Sequence, residues 1–379
     1  MIPAAFIPAN LPWTRHPQLG GLVMQAVQRV LERGSFILGE EVAAFEREFT
    51  SYLGAACGVG VASGTDALLL ALLSGGIQGG DEVLLPSFAP GAVAVAVRAC
   101  GAVPVFADVT AEGTLDFQQL PGLLGPRTRA LIVVHLYGKA APLEHLLPWA
   151  EAHRLWVVED CAHAHGAFHA PGNASPRIRA GLRGDAGAFS FYPTKNLAGI
   201  GDGGFCASKH LRLGDKLRSL RQYGWSARDC AAGPGRNSRL DEIQAAALRV
   251  GLSALDERNA RRRALATRYV GALTGRTPKE FALPGQGEVS ASVFHQFVVR
   301  TPRRTALMQH LERSGIGCGI HYPLALHQQP AFAPFAQGRS FPESERQAST
   351  VLSLPLFPEL RDEDCDRICE EIIRFWNSA

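Results

Sequence analysis

Seven short apolar runs, "VGVAS", "EVLLPS", "VPVFAD", "ALIVVHLYG", "LWVVED", "GAFSFY" and "GFCAS", lie between residues 59 and 208, most of them separated by helical patterns such as "TDALLLALL". Runs of four to nine apolar, β-branched or aromatic residues that do not alternate with polar ones read as strands buried on both faces. Strands of that kind interleaved with helices predict an α/β fold, a largely parallel sheet covered by helices on both sides. At 379 residues with 46% hydrophobic content, the chain can bury a large core and has room for two domains.

Before the sheet, Leu22, Val23, Val27, Val30 and Leu31 recur at helical spacing ahead of Gly34, so an early helix should pack that face inward. Past the last run, residues 238–273 are helix-prone with only two interior glycines and read as a bridge into a second unit. There "SVFHQFVVR", a helix "RTALMQHLERSG", a strand "GIGCGIHY" and a terminal helix "DEDCDRICEEIIRFW" predict a smaller α+β domain, with the loop "LALHQQPAFAPFAQGRSF" between them. The expected division is an N-terminal arm over 1–16, a large domain over 17–250 and a small domain over 251–379.

Lysines and arginines number 38 against 35 acids, and the densest basic run, "ERNARRRALATR", alternates with helix formers as a solvated face does, so nothing calls for nucleic acid. Eight scattered cysteines without a CxxC pair predict free thiols in a reducing cytoplasm. The first residues carry no basic, then apolar, leader pattern. No stretch reaches the roughly 18 apolar residues that a membrane helix needs.

Three constellations bear on chemistry. In "VVEDCAHAHGA" a strand ends in Glu159 and Asp160, which puts a carboxylate either at the ligand-binding edge of the sheet or on a helix N-cap. The neighbouring His163, His165 and His169 lack a second cluster with ligand spacing, so no metal is expected. In "VGVASGTDALLLAL" a strand leads through Ser63, Gly64 and Thr65 into a helix, an arrangement that either cradles an anion such as phosphate or only caps the helix. In "FSFYPTKNLAGIGDGGF", Gly199, Gly201 and Gly204 formally match G-x-G-x-x-G, yet they precede a strand and lack the later acidic residue, so the dinucleotide reading fails. Lys195 then projects from a tight loop, either as a surface cation or as a desolvated amine able to form an imine. A carboxylate, an anion cradle and such an amine together suit pyridoxal phosphate.

These residues resemble the sugar aminotransferases of the DegT/DnrJ/EryC1/StrS family, in the aspartate aminotransferase fold (fold type I). The resemblance runs in order through "SFILGEEVAAFE", "SGTDALLLAL", "GAVPVFADV", "VVHLYG", "EDCAHAHGA", "FSFYPTKNL", "GDGG", "GRNSRLDEIQAA", "GIHYP" and "LSLPLFPEL". It implies Lys195 as the Schiff-base lysine and Asp160 as the partner of the cofactor's ring nitrogen. It further implies Gly64, Thr65 and Ser190 on the phosphate, His163 near the phenolic oxygen, Phe88 beside the ring, and Asn237 reaching the phosphate of a neighbouring subunit in a homodimer. Tyr192, Tyr223, His321 and Tyr322 resemble sugar-nucleotide contacts. "FILGEEV", "RQYGW" and "NSRLDEIQAA" look most like members that aminate C3 of a dTDP-linked 3-keto-6-deoxyhexose, with L-glutamate as donor. Rival readings are amination at C4 or of a cyclitol, a 3-dehydratase, against which Lys195 speaks because those enzymes carry histidine there, and a non-catalytic regulator. Two positions depart from the family: Pro90 stands where many members carry an aromatic, and Arg236 where many carry tyrosine.

Overall fold

The structure, a computed structural model, describes residues 6–169, 177–285 and 291–378. All seven apolar runs form strands of one sheet: β1 Cys57–Val61, β2 Glu82–Pro86, β3 Val103–Ala107, β4 Thr128–Val134, β5 Trp156–Asp160, β6 Ala186–Ser190 and β7 Gly204–Ser208. Their order is β1-β7-β6-β5-β4-β2-β3, parallel throughout except that β7 runs against both of its neighbours. The reversal brings the start of β7 to the edge where the parallel strands end, and Gly204 there pairs with both Val61 and Ser190.

The helix Gly64–Ser74 is apolar all round, and Ala67 to Leu72 are all buried beneath the sheet. A helix of that composition is stable only inside a core, and this one therefore cannot shift without breaking the sheet's packing. The first helix, Pro17–Arg33, ends on Gly34 in the left-handed region. Its inward face is Val23, Ala26 and Val30, whereas Leu22 and Leu31, expected inside, are 48% and 56% exposed. Each sits one residue, about 100° of helical turn, off the buried stripe.

Residues 238–273 are two helices, Glu242–Ser253 and Leu255–Leu273, broken at Ala254. Beyond them β10 Phe297–Arg300 pairs antiparallel with β11 Val351–Leu354, strands numbered after the short hairpin β8 Trp225–Ala227 and β9 Cys230–Ala231. The helices Leu255–Leu273, Arg304–Arg313 and Asp362–Asn377 close a second core around Tyr269, Phe297, Leu311 and Ile368, which Ile7 of the arm joins. The expected strand "GIGCGIHY" does not form. Its glycine-rich backbone makes only single bridges, from Ile316 to Ile7 and from Gly319 to Ser353. All eight cysteines are free thiols. No helix among the described residues is long and apolar enough to cross a membrane.

The helix Glu40–Leu53 has no side-chain cap of its own at Gly39. The buried Glu242 supplies one from a distant helix, accepting from the N–H groups of Gly39 (2.8 Å), Glu41 (2.9 Å) and Val42 (2.8 Å). A carboxylate there satisfies orphan donors and opposes the helix dipole. Glu242→Ala is expected to cost about 3 kcal/mol in denaturant unfolding, because three buried donors lose a charged acceptor; a loss below about 0.5 kcal/mol would mean water replaces it freely.

Candidate active site

Strand alternation sends adjacent side chains to opposite faces of a sheet, and at the end of β5 that separates two carboxylates. Glu159 is fully buried and saturated: Oε1 accepts from the N–H groups of Arg183 (2.8 Å) and Gly184 (2.6 Å), and Oε2 from His135 Nε2 (2.8 Å), His169 Nε2 (3.0 Å) and Gly181 N–H (2.9 Å). Burial pushes its pKa up, but the bonds from His135 and His169 outweigh burial and hold it well below the usual carboxylate range. His135, Glu159 and Cys161 place one potential metal-ligand atom each within 4.8 Å of one another. The bonds from His135, His169 and the loop amides, with His135 Nδ1 accepting from Ala141 N–H at 3.0 Å, already occupy the lone pairs a cation would use.

Asp160 faces the other side and is equally buried, yet Oδ1 accepts only from Ala162 N–H (3.0 Å) and no described residue donates to Oδ2. Burial raises its pKa, against the Ala162 N–H and the charge of Lys195. A buried carboxylate with spare acceptor capacity requires a cationic donor.

Lys195 follows β6 in a turn closed by its own N–H on the Tyr192 carbonyl (2.9 Å). Burial lowers its amine from 10.5 to about 8, with the Asp160 charge opposing. The glycines behind it make room for neighbours. Cβ atoms at Gly199 and Gly201 would lie 2.6 Å from the amide of Gln244, whose Oε1 accepts from Ile200 N–H at 2.8 Å.

Beside Lys195 is a cradle. Ser63 caps the helix Gly64–Ser74 by accepting from Asp66 N–H, which leaves the Gly64 and Thr65 N–H groups without acceptors among the described residues. A Cβ at Gly64 would come within 2.5 Å of Ser190 Cβ, and one at Gly204 within 2.2 Å of the Ser63 carbonyl. Two free N–H groups, the positive helix end and the Ser190 hydroxyl thus converge where only glycine allows the approach.

His163 is buried, and Nδ1 accepts from Tyr137 N–H at 3.3 Å, which puts the proton of the neutral ring on Nε2. Burial first, then the Lys195 charge, pushes it well below the ordinary histidine range. The same two causes lower His321 to about 4 and the fully buried His165 to about 3. His321 Nδ1 shares a hydrogen bond with Ser353 Oγ (2.9 Å), and the His321 carbonyl accepts from the Tyr137 hydroxyl. Tyr322, held above its usual pKa by burial and the Asp160 charge, meets the buried Phe88 edge-on at 6.4 Å.

Gly64, Thr65, Phe88, Asp160, His163, Ser190, Lys195, His321 and Tyr322 thus gather at one edge of the sheet. Tyr192 is beside them but 52% exposed. Tyr223, 40% exposed, lies against Trp225 with the two rings tilted, and Asn237 is exposed and bridges Gln222; neither makes a hydrogen bond or ring contact to Lys195, Asp160 or Ser190. The neighbour of Asn237, Ser238, accepts from Ala62 N–H (3.1 Å) and donates to Asp66 (2.7 Å), bracing the cradle from behind. Arg236 donates to the Ala99 carbonyl (3.1 Å) at the carboxyl end of the helix Gly91–Ala99, a placement that suits a cation. Pro90 is the N-cap residue of that helix. Asn196, Tyr137, Ser238 and His295 escaped the sequence reading. The only signals were proximity to Lys195 for Asn196 and a histidine inside an apolar run for His295.

Residues 17–373 match the DegT/DnrJ/EryC1/StrS aminotransferase family. The chain belongs to that family. It is 44% identical over 358 residues, 93% of this chain and 91% of the relative, to dTDP-3-amino-3,4,6-trideoxy-alpha-D-glucose transaminase of Streptomyces venezuelae. It is 42% identical, over 93% of both chains, to UDP-N-acetyl-3-dehydro-alpha-D-glucosamine 3-aminotransferase of Acidithiobacillus ferrooxidans. The crystal structure of S. venezuelae DesV in complex with a ketimine intermediate superposes with a TM-score of 0.93 at 40% identity, covering 98% of this chain and 99% of that one. The aminotransferase is therefore an α/β enzyme of that fold, and sugar transamination is its class of chemistry.

The folded aminotransferase holds the Lys195 proton less tightly than the unfolded chain does, so this amine contributes stability that grows as pH rises from about 8 toward 10.5. Competitive acetylation of Lys195 in cofactor-free protein, followed by peptide mass analysis, is expected to show a midpoint near 8; one near 10.5 would mean the amine is solvated.

Proposed function

We propose that this aminotransferase uses pyridoxal 5′-phosphate to move an amino group from L-glutamate to the C3 keto group of a dTDP-linked 3-keto-6-deoxyhexose. The observation that carries the cofactor reading is the approach of Gly64 to Ser190 beside the under-filled Asp160 and the low-pKa Lys195: phosphate cradle, carboxylate and amine stand at one sheet edge. The C3 reading draws on the two relatives, whose names place the new amine at position 3.

Bound there, the cofactor would supply an aldehyde for amine exchange and a ring that withdraws electrons from the carbon being deprotonated. The Gly64 and Thr65 N–H groups and the Ser190 hydroxyl would hold its phosphate. Asp160 Oδ2 would accept from the ring nitrogen, His163 Nε2–H would donate to the phenolic oxygen, and Phe88 would wall the site. Once free of the cofactor, Lys195 would take the proton at one carbon and return it at the other, a role its depressed pKa suits near neutral pH. His321, Tyr322 and Tyr192 would face the sugar nucleotide.

Asn237, exposed on this chain, would reach the phosphate held by a second copy, so that each site would lie at a homodimer interface. Leu22, Phe36, Ile37, Ile200 and Tyr223, each at least 40% exposed, supply apolar surface for that contact. Eight free thiols fit a reducing cytoplasm.

Lys195→Ala is expected to abolish the absorbance of lysine-bound cofactor and lower turnover at least ~1,000-fold; retention of both would overturn its role. Purified enzyme given L-glutamate should release 2-oxoglutarate with dTDP-3-keto-6-deoxyhexoses. Release with dTDP-4-keto-6-deoxyglucose alone would sink the C3 assignment and leave the cofactor chemistry standing.

A further inference from the structure

Directly after Lys195, the Asn196 side chain turns inward and is buried. Its Nδ2 donates to Asn259 Oδ1 (2.8 Å) on the helix Leu255–Leu273 and to the Val293 carbonyl (2.9 Å). Both partners are acceptors, so the orientation of the amide is settled and Oδ1 must face His295 Nδ1 at 3.3 Å. His295 therefore carries its proton on Nδ1. Asn259 Nδ2 in turn donates to the His165 carbonyl at 2.9 Å, so every amide group of this buried pair is used. Fully satisfied buried networks of this kind fix one arrangement of the chain.

Residues 292–296 are themselves held in place. Val293 N–H donates to the Gly138 carbonyl (2.9 Å), and a Cβ at Gly138, whose φ is +107°, would lie 2.8 Å from His295 N. The His295 ring lies 4.4 Å from that of His163. One residue thus ties the loop carrying Lys195 to two separate segments and, through His295, to the imidazole assigned to the cofactor.

We propose that Asn196 and His295 are positioning residues that clamp the Lys195 loop to residues 292–296, fixing where the amine sits and keeping water from it. The groups whose charges act on or sense the amine are Asp160, His163, His165, His295 and His321; only Asp160 is a carboxylate. Burial is the largest influence on Lys195, so its titration reports how tightly the clamp closes. The importance of the clamp to turnover rests on the role of Lys195 proposed above. The clamp itself is detected in cofactor-free protein whether or not that role holds.

The test is competitive acetylation of Lys195 across pH in three full-length variants, each checked for native circular dichroism. His295→Asn keeps a donor for Asn196 Oδ1 and removes the ring from His163. His295→Phe keeps a ring and removes the donor. Asn196→Ala removes the whole clamp. The expected result is a midpoint within about 0.3 of the native one for His295→Asn and at least about one pH unit higher for His295→Phe and Asn196→Ala, toward the ordinary lysine value. In the holoenzyme, His295→Phe should then lower kcat at least about tenfold with KM for L-glutamate nearly unchanged. Equal midpoints for the two His295 variants would overturn the proposal, and they decide it alone if Asn196→Ala does not fold. A native midpoint in folded Asn196→Ala would overturn it as well.

Discussion

The site depends on two consecutive carboxylates meeting opposite fates at the end of β5. Pleating sends Glu159 to one face, where two imidazoles and the N–H groups of Gly181, Arg183 and Gly184 complete it, and Asp160 to the other, where Ala162 alone donates. The first is structural: a saturated anion that pins the loops on the far face and fixes the height of β5. The second is left in want of a cation, and with β5 fixed it cannot retreat toward water. Loss of Glu159 would therefore act on Asp160 through register rather than through charge.

The same economy of contact governs the cradle. An anion site could be built from cations, but a lysine or arginine near Ser190 would set a further positive charge beside the Lys195 amine. Helix N–H groups bind without adding a titratable neighbour, at the cost of needing Gly64 and Gly204, since any Cβ would meet Ser190 or the Ser63 carbonyl. Ser238, reaching in from the segment beside Asn237, bonds the Ala62 N–H and the Asp66 carboxylate and so braces that turn.

The sheet was legible because parallel strands buried on both faces read as unbroken apolar runs. Lys195, Asp160 and Gly64 were legible because such strands deliver their last residues to a common edge. What escaped depends on partners far away in sequence. Glu242 looks like one acid among many in a helix until residues 39–42 fold against it, and Asn196 looks like a turn residue until Val293 and His295 arrive. Leu22 and Leu31 were misplaced because an apolar pattern does not say whether an apolar residue meets this chain or another surface. Arg236 looked anomalous only while the helix end it caps was out of view.

The histidines around Lys195 are best understood by what would happen were they acids. His163, His165, His295 and His321 all sit below the ordinary histidine range, lowered first by burial, and so stay neutral at physiological pH. A carboxylate at any of those positions would hold the amine charged and return its pKa toward that of an ordinary lysine; a further cation would push the amine neutral but add a second positive charge beside Asp160. Neutral imidazoles avoid both outcomes. They offer donors and acceptors without net charge, so the balance on Lys195 reduces to burial on one side and Asp160 on the other. A cation engaging Asp160 would weaken its pull on Lys195 and let the amine lose its proton more readily.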